Sequence, residues 1–314
     1  MEWRNESIIT EFILLGFGEL QELQILIFLL FLIIYIMTMT ENLLIIAIVV
    51  TDRHLHIPMY FFLGNLSFLA ICYSTTIIPR ILVSLLTDDQ SVPVHGCIMQ
   101  LSTFSFLAVT ECYLLAAMSY DRYVAVCRPL HYSVLMNIRV YLQLMAGSWF
   151  TSLMINITLL SAILQLTFCG HNVIDHFFCD FAPMMKLTCS YSFGQQVKLL
   201  STFTSSFSIL PPFILTVGSY GCIIAAIFRI SSSTGRQKAF STCSSHLTVV
   251  TVFFGTLTVV YVLPDTNELR ELNKVLSVFY TILTPLVNPL IYSLRNKDVH
   301  IALKKAASKW AVSI

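Results

Sequence analysis

The stretch Leu23-Gln24-Ile25-Leu26-Ile27-Phe28-Leu29-Leu30-Phe31-Leu32-Ile33-Ile34-Tyr35-Ile36-Met37-Thr38-Met39-Thr40 contains no Asp, Glu, Lys or Arg. Past Glu41 the apolar character resumes to about Val50. That is the length, about 20 residues, that an α-helix needs to cross the hydrocarbon layer of a membrane. Six further runs have the same character: His54–Pro79, Gln90–Thr110 (continuing past Glu111 to Tyr120), Val140–Ile174, Leu199–Phe228, Ala239–Pro264 and Val275–Leu294. Seven such runs, evenly spaced, are too many to be buried core helices of a soluble domain. They also lack the alternation of apolar and polar residues that strands of a lipid-embedded barrel require. The expected fold is an all-α membrane protein, a bundle of seven transmembrane helices.

Composition agrees. Charged residues are 11% of the 314, against about 25% in soluble domains. The hydrophobic share is 56% and the mean hydropathy is +0.79. With 11 Gly and 10 Pro, collagen-like and disordered chains are excluded. A net charge of +1 offers no basic face for a nucleic-acid partner, so lipid is the solvent the chain is built for.

An odd number of spans puts the two ends on opposite sides. Orientation follows the Lys and Arg of the connections. Segments 51–57, 121–139, 229–238 and 295–314 hold Arg53, Arg122, Arg128, Arg139, Arg229, Arg236, Lys238, Arg295, Lys297, Lys304, Lys305 and Lys309, against three acids, Asp52, Asp121 and Asp298. The opposite side is acidic, so the N-terminus is expected outside and the C-terminus in the cytosol. A basic segment followed by a short apolar run is missing from the N-terminus, so span one is expected to insert the chain without a cleaved signal. This divides the chain into an extracellular N-terminus (1–22), a membrane domain (23–294) and a cytosolic tail (295–314). Asn5-Glu6-Ser7 is a glycosylation sequon on the outer side. The matches at Asn65 and Asn156 fall inside spans and read as chance.

Of nine Cys, four (Cys97, Cys169, Cys179 and Cys189) lie at the outer surface, where the secretory route is oxidising. They allow three pairings, and spacing does not choose among them. Cys72, Cys112 and Cys222 are expected in core packing, with Cys127 and Cys243 at the cytosolic boundary. His171, His176 and Cys179 match no metal-ligand spacing.

Four longer motifs stand at corresponding places on the bundle. Pro58-Met59-Tyr60-Phe61-Phe62-Leu63 opens span two, and Met118-Ser119-Tyr120-Asp121-Arg122-Tyr123-Val124-Ala125-Val126-Cys127 closes span three. Lys238-Ala239-Phe240-Ser241-Thr242-Cys243-Ser244-Ser245-His246-Leu247 opens span six, and Pro285-Leu286-Val287-Asn288-Pro289-Leu290-Ile291-Tyr292-Ser293-Leu294-Arg295-Asn296 closes span seven. Together they resemble the olfactory (odorant) receptors, a branch of the rhodopsin-like G-protein-coupled receptors. The wording Lys-Ala-Phe-Ser-Thr-Cys is similar to the tetrapod-type branch. The resemblance runs from the sequon to the basic tail. It implies a plasma-membrane receptor with a short amphipathic helix after span seven, a small odorant as ligand, and a stimulatory heterotrimeric G protein as partner.

The resemblance also implies roles. Asp121 would restrain Arg122 at rest, within the triplet completed by Tyr123, and Arg122 would turn to the G protein on activation. Tyr220 and Tyr292 would swing inward behind it. Pro289 removes an amide donor inside span seven and should kink it, with Pro285 one turn earlier and Asn288 placed to bond the carbonyls set free. Intramembrane acids are costly and usually functional. Glu111 matches an acid the family carries near a sodium site, which makes sodium the candidate cofactor. The usual span-two acid of that pocket is replaced by Ala70, and Glu41 stands where a Gly commonly precedes Asn42.

A ligand pocket is expected in the outer half of the bundle. Span three offers Phe104, Ser105, Ala108 and Val109, and span five Thr204, Ser205 and Ser208. Span six offers Phe254, Leu257, Thr258 and Tyr261, and span seven Ser277 and Thr281. Spacings of three and four gather most of each set on one helix face. The mixture, apolar with scattered hydroxyls, suits a small neutral molecule. A transporter or channel is the alternative, but inverted repeats and midplane charge rings are missing. No His-Glu-x-x-His or comparable catalytic motif marks an enzyme.

Overall fold

A computed structural model describes residues 9–16, 23–87, 89–229, 232, 246–263 and 269–295 of the chain. Seven helical segments run through it. They are α1 (Gln24–Thr51), α2 (Pro58–Thr87), α3 (Val94–Cys127), α4 (Ile138–Ile163), α5 (Tyr191–Phe228), α6 (His246–Val262) and α7, made of Leu269–Val278, Phe279–Leu283 and Thr284–Arg295. α1 to α5 are long and apolar enough to cross a membrane. The fold is thus the expected seven-helix transmembrane bundle. Its centre is α3, the most enclosed helix, and α1 and α4 are among the least. Leu114 and Leu115 of α3 are fully buried, whereas Ile25 of α1 is 78% exposed. A helix whose outward face meets lipid rather than water can keep Leu and Ile there at no cost.

One element was not foreseen: a small sheet caps one end of the bundle. β1 (Glu11–Leu14) lies between β2 (Ser91–Pro93), antiparallel to it, and β3 (Val173–Ile174), parallel to it. Phe12 of β1 is fully buried and meets Phe168 edge to face at 5.2 Å. Two disulfides staple the cap, Cys97–Cys179 between the start of α3 and the loop, and Cys169–Cys189 within the loop. These are the four cysteines assigned to the oxidising side, and the structure chooses among their three pairings.

The cap also explains why the apolar run Val140–Ile174 overshoots its helix. α4 ends at Ile163, and Leu166, Phe168 and Ile174 pack with Cys97, Cys179 and Phe181 in a separate core above the bundle. Gly170 turns the chain between them at φ +83°, a conformation glycine adopts without strain.

α5 passes through Pro211 and Pro212 as one helix. In α7 the irregular part is a π-helical turn at Phe279–Leu283, two residues before Pro285. Thr284 donates its hydroxyl to the Phe279 carbonyl at 2.9 Å across that wider turn. Asn288 does not bond the freed carbonyls. The Pro285 carbonyl accepts from Asn42 of α1 at 3.2 Å, and Asn288 turns instead to Glu111. Cys222 is exposed on the outside of α5 rather than in the core, while Cys112 is buried as expected. Asn5, Arg236, Lys238, Cys243, the side chain of Tyr292, the segment after Arg295 and its expected amphipathic helix lie outside the described residues.

Candidate functional site

Below the cap, α3, α5 and α6 part to leave a cavity with about 510 Å3 of empty space, counting the part open towards solvent. From α3 it is lined by Leu101, Phe104, Ser105, Ala108, Val109 and Cys112, residues repeating every three or four positions as one helix face must. α5 contributes Ser201, Ser205, Ser208 and Ile209, α6 contributes Leu257 and Tyr261, and Leu159 and Phe181 complete the wall. Eight residues expected from sequence are therefore here: Phe104, Ser105, Ala108, Val109, Ser205, Ser208, Leu257 and Tyr261. Leu101, Cys112 and Ser201 were legible too, because each lies one helical turn from a residue that was named. Phe181 was not, since it comes from the loop that the disulfides fold back over the bundle.

The remaining expected residues are not part of this wall. Phe254 is fully buried between Phe213 and Phe253, one layer behind it. Thr204 and Thr258 turn their hydroxyls back to the carbonyls of Leu200 and Phe254. Ser277 and Thr281 are buried on α7 and donate to the carbonyls of Asn273 and Ser277 respectively. A hydroxyl in an apolar helix finds its nearest acceptor in its own preceding turn, and these have taken it.

Tyr261 sits at the junction of cavity and cap. Its hydroxyl donates to Asp180 of the loop at 2.9 Å and lies 3.0 Å from the hydroxyl of Tyr280 on α7. Tyr280 in turn is 2.8 Å from the Ser277 hydroxyl. Loop, α6 and α7 are thus tied by one polar chain with every member buried or half-buried. Beside it, Lys274 of α7 forms an ion pair with Asp175 at 3.0 Å. His176 lies buried in a Phe177 and Phe178 cluster, and its Nδ1 accepts from the Phe178 amide at 3.4 Å. Burial, with the Lys274 charge adding to it, pushes this imidazole down from 6.5 to about 3.

Deeper in the bundle, Glu111 of α3 is buried and accepts from the Asn288 amide at 3.3 Å. Tyr73 is its electrostatic neighbour, and among the described residues the buried Tyr73 hydroxyl has no hydrogen-bond partner. A hard monovalent cation asks for oxygen donors and one compensating charge. Glu111 offers a carboxylate and Tyr73 a neutral oxygen, the donor types such an ion takes. Among the described residues there is no group of three or more His, Cys, Asp or Glu that could hold a multivalent metal.

At the end opposite the cap, Asp121 of α3 is fully buried and holds Arg122 by an ion pair of 2.6 Å. Tyr132 adds a second restraint by donating to the other carboxylate oxygen of Asp121 at 2.8 Å. Tyr132 was not singled out from sequence, since it lies in the short turn after α3 and only folding brings it back. Tyr220 of α5 is hydrogen-bonded through its hydroxyl to Nδ1 of His246 on α6, and Arg122 is an electrostatic neighbour of that histidine. Tyr123 packs against the adjoining cluster of Tyr220, Ile223 and Ile227.

A cavity at one end, a restrained arginine at the other and helices spanning both describe a seven-helix membrane receptor. The olfactory receptor family model matches residues 31–309. Human olfactory receptor 13C9 is 45% identical over 97% of this chain and 97% of its own length. Mouse olfactory receptor 5AR1 is 46% identical, covering 98% and 99%, and human olfactory receptor 11L1 is 47% identical, covering 97% and 94%. The chain belongs to the olfactory receptor family.

Proposed function

We propose that this chain is an odorant receptor of the plasma membrane, with residues 1–22 outside and 295–314 in the cytosol. It binds a small, mostly apolar volatile in the cavity of α3, α5 and α6, and activates a stimulatory heterotrimeric G protein to raise cyclic AMP. The observation that carries this reading is the reach of α6. At one end the helix lends Leu257 and Tyr261 to the cavity; at the other, His246 bonds Tyr220 beside Arg122.

A ligand shifts the balance of two states only by binding one better than the other. A molecule filling the cavity presses on Leu257 and Tyr261, and so favours an α6 position in which the His246–Tyr220 contact is different. Loosening that contact and the Asp121 ion pair uncovers Arg122 for the G protein, with Arg229, Arg236 and Lys238 adding basic surface. The π-helical turns at Thr258–Val262 in α6 and Phe279–Leu283 in α7 supply hinges near the cavity. When bound, sodium would neutralise Glu111. Glu111 and Tyr73 would hold it, and Asn288 would orient the carboxylate.

A cyclic-AMP reporter in cells supplied with the stimulatory G protein tests the reading. Signal driven by a volatile and abolished in Arg122→Ala is the expected result. Ligand-independent solute flux, with no such signal, would instead mark a transporter or channel. In the same assay basal signalling should depend on external sodium, and that dependence should vanish in Glu111→Gln.

A further inference from the structure

The hydroxyls around the cavity fall into two groups. Ser208 of α5 donates to the Thr204 carbonyl at 2.6 Å, as Thr204 and Thr258 do to their own helices. Ser105, Ser201 and Ser205 line the same cavity and donate to no protein oxygen among the described residues. Serines in apolar helices ordinarily turn back on the preceding turn, and a serine that does not has its proton available to something else. Ser105 stands on α3 and Ser205 on α5, with Ser201 one turn from Ser205 on the same face.

Tyr261 is excluded as a donor to the ligand. Its proton is directed to the Asp180 carboxylate at 2.9 Å, and its oxygen faces the Tyr280 hydroxyl at 3.0 Å. It presents an aromatic ring to the cavity, beside Phe104, Ala108 and Leu257. Among the described residues no charged side chain lines the wall. An amine or a carboxylate would leave water here without a counter-charge, which disfavours its binding.

We infer that the ligand is an uncharged carbonyl compound, a ketone, aldehyde or ester. Its oxygen accepts hydrogen bonds from Ser105 and Ser205 across the gap between α3 and α5, and its hydrocarbon part lies against Phe104, Leu257 and the Tyr261 ring. A carbonyl oxygen has two acceptor sites and brings no proton that itself needs a partner. It therefore satisfies Ser105 and Ser205, in a wall whose remaining hydroxyl with a free proton is Ser201. The inference rests on this cavity being the ligand site, as proposed above.

The test uses the full-length receptor, with surface level measured by an N-terminal tag, and compounds of one carbon skeleton ending as methyl ketone, alcohol, hydrocarbon, carboxylic acid or amine. The ketone should be the most potent. Ser105→Ala and Ser205→Ala should each raise its half-maximal concentration by about tenfold, and Ser105→Thr should recover much of the loss. Should either alanine variant not reach the surface, Ser105→Cys and Ser205→Cys, whose thiols donate weakly, give the same readout. The assignment is overturned if any other member of the series equals the ketone, or if ketone potency is unchanged in these variants. A signal led by the acid or amine sinks the ligand class alone. Silence towards every class, from receptor counted at the surface, sinks the site as well.

Discussion

Asp121 has no exposure to solvent, and a buried carboxyl group is stable only while its partners hold. Arg122 takes one carboxylate oxygen and the Tyr132 hydroxyl the other. Burial and the Asp121 charge keep the Tyr132 phenol protonated by pushing its pKa up, so it remains a donor. Removing that donor from a buried carboxylate costs about 1.5–3 kcal/mol. Tyr132→Phe should therefore loosen the grip on Arg122 and raise ligand-free cyclic AMP several-fold at equal surface level. Basal signal equal to wild type would show that the phenol restrains nothing. Sequence pointed to Asp121 and Arg122 because both are motif residues. It could not point to Tyr132, whose role depends on the turn that returns it to α3.

At the scale of elements, the cap is where separate pieces of chain are made into one body. β1 from the N-terminus, β2 before α3 and β3 from the long loop come from three distant places; one disulfide ties the start of α3 to the loop, a second closes the loop on itself, and β1 is held between β2 and β3 by its backbone ladder. Cys97–Cys179 closes a separation of 82 residues and Cys169–Cys189 one of 20. Chain-entropy accounting assigns about 4.5 and about 3 kcal/mol to loops of those lengths. Cys97→Ser or Cys179→Ser should thus lower surface expression more than Cys169→Ser does, measured by labelling intact cells; the reverse order would refute the argument.

The cap also carries a pH term. His176 is neutral when folded, with its pKa at about 3, while the unfolded chain takes up a proton below about 6.5. Its contribution to stability is complete above 6.5 and is lost as the pH falls from there towards 3. The melting temperature of the purified receptor should drop between pH 7.5 and pH 5, and drop less in His176→Gln. Asp175 and Lys274, paired beside it, are the charges that face it.

Over the whole molecule, an odd number of crossings separates the ends, and the basic connections decide which end stays in the cytosol. Tags at both termini, probed in intact and then permeabilised cells, should show the N-terminal tag at once and the C-terminal tag only after permeabilisation. Both tags on one side would contradict the threading. Within that frame α3 is central, and every site described above draws on it. Phe104 and Ser105 reach the cavity, Glu111 the polar core, and Asp121 and Arg122 the opposite end.

Hydrophobic runs and the charges between them were sufficient for seven helices, because a helix in lipid must satisfy its own backbone and show apolar side chains along its length. Helical spacing was likewise sufficient for most of the cavity wall on α3. What lay beyond reach was set by distance along the chain. The apolar residues Leu166, Phe168 and Ile174 look the same whether they enter lipid or a protein core, and only the folded cap distinguishes the two. Hydroxyl direction is similar: Ser205 and Ser208 are alike in sequence, yet one turns to its own helix and the other to the cavity. The pairing of Asn288 with Glu111 and of Asn42 with Pro285 was decided by the approach of α1, α3 and α7, which no local pattern encodes.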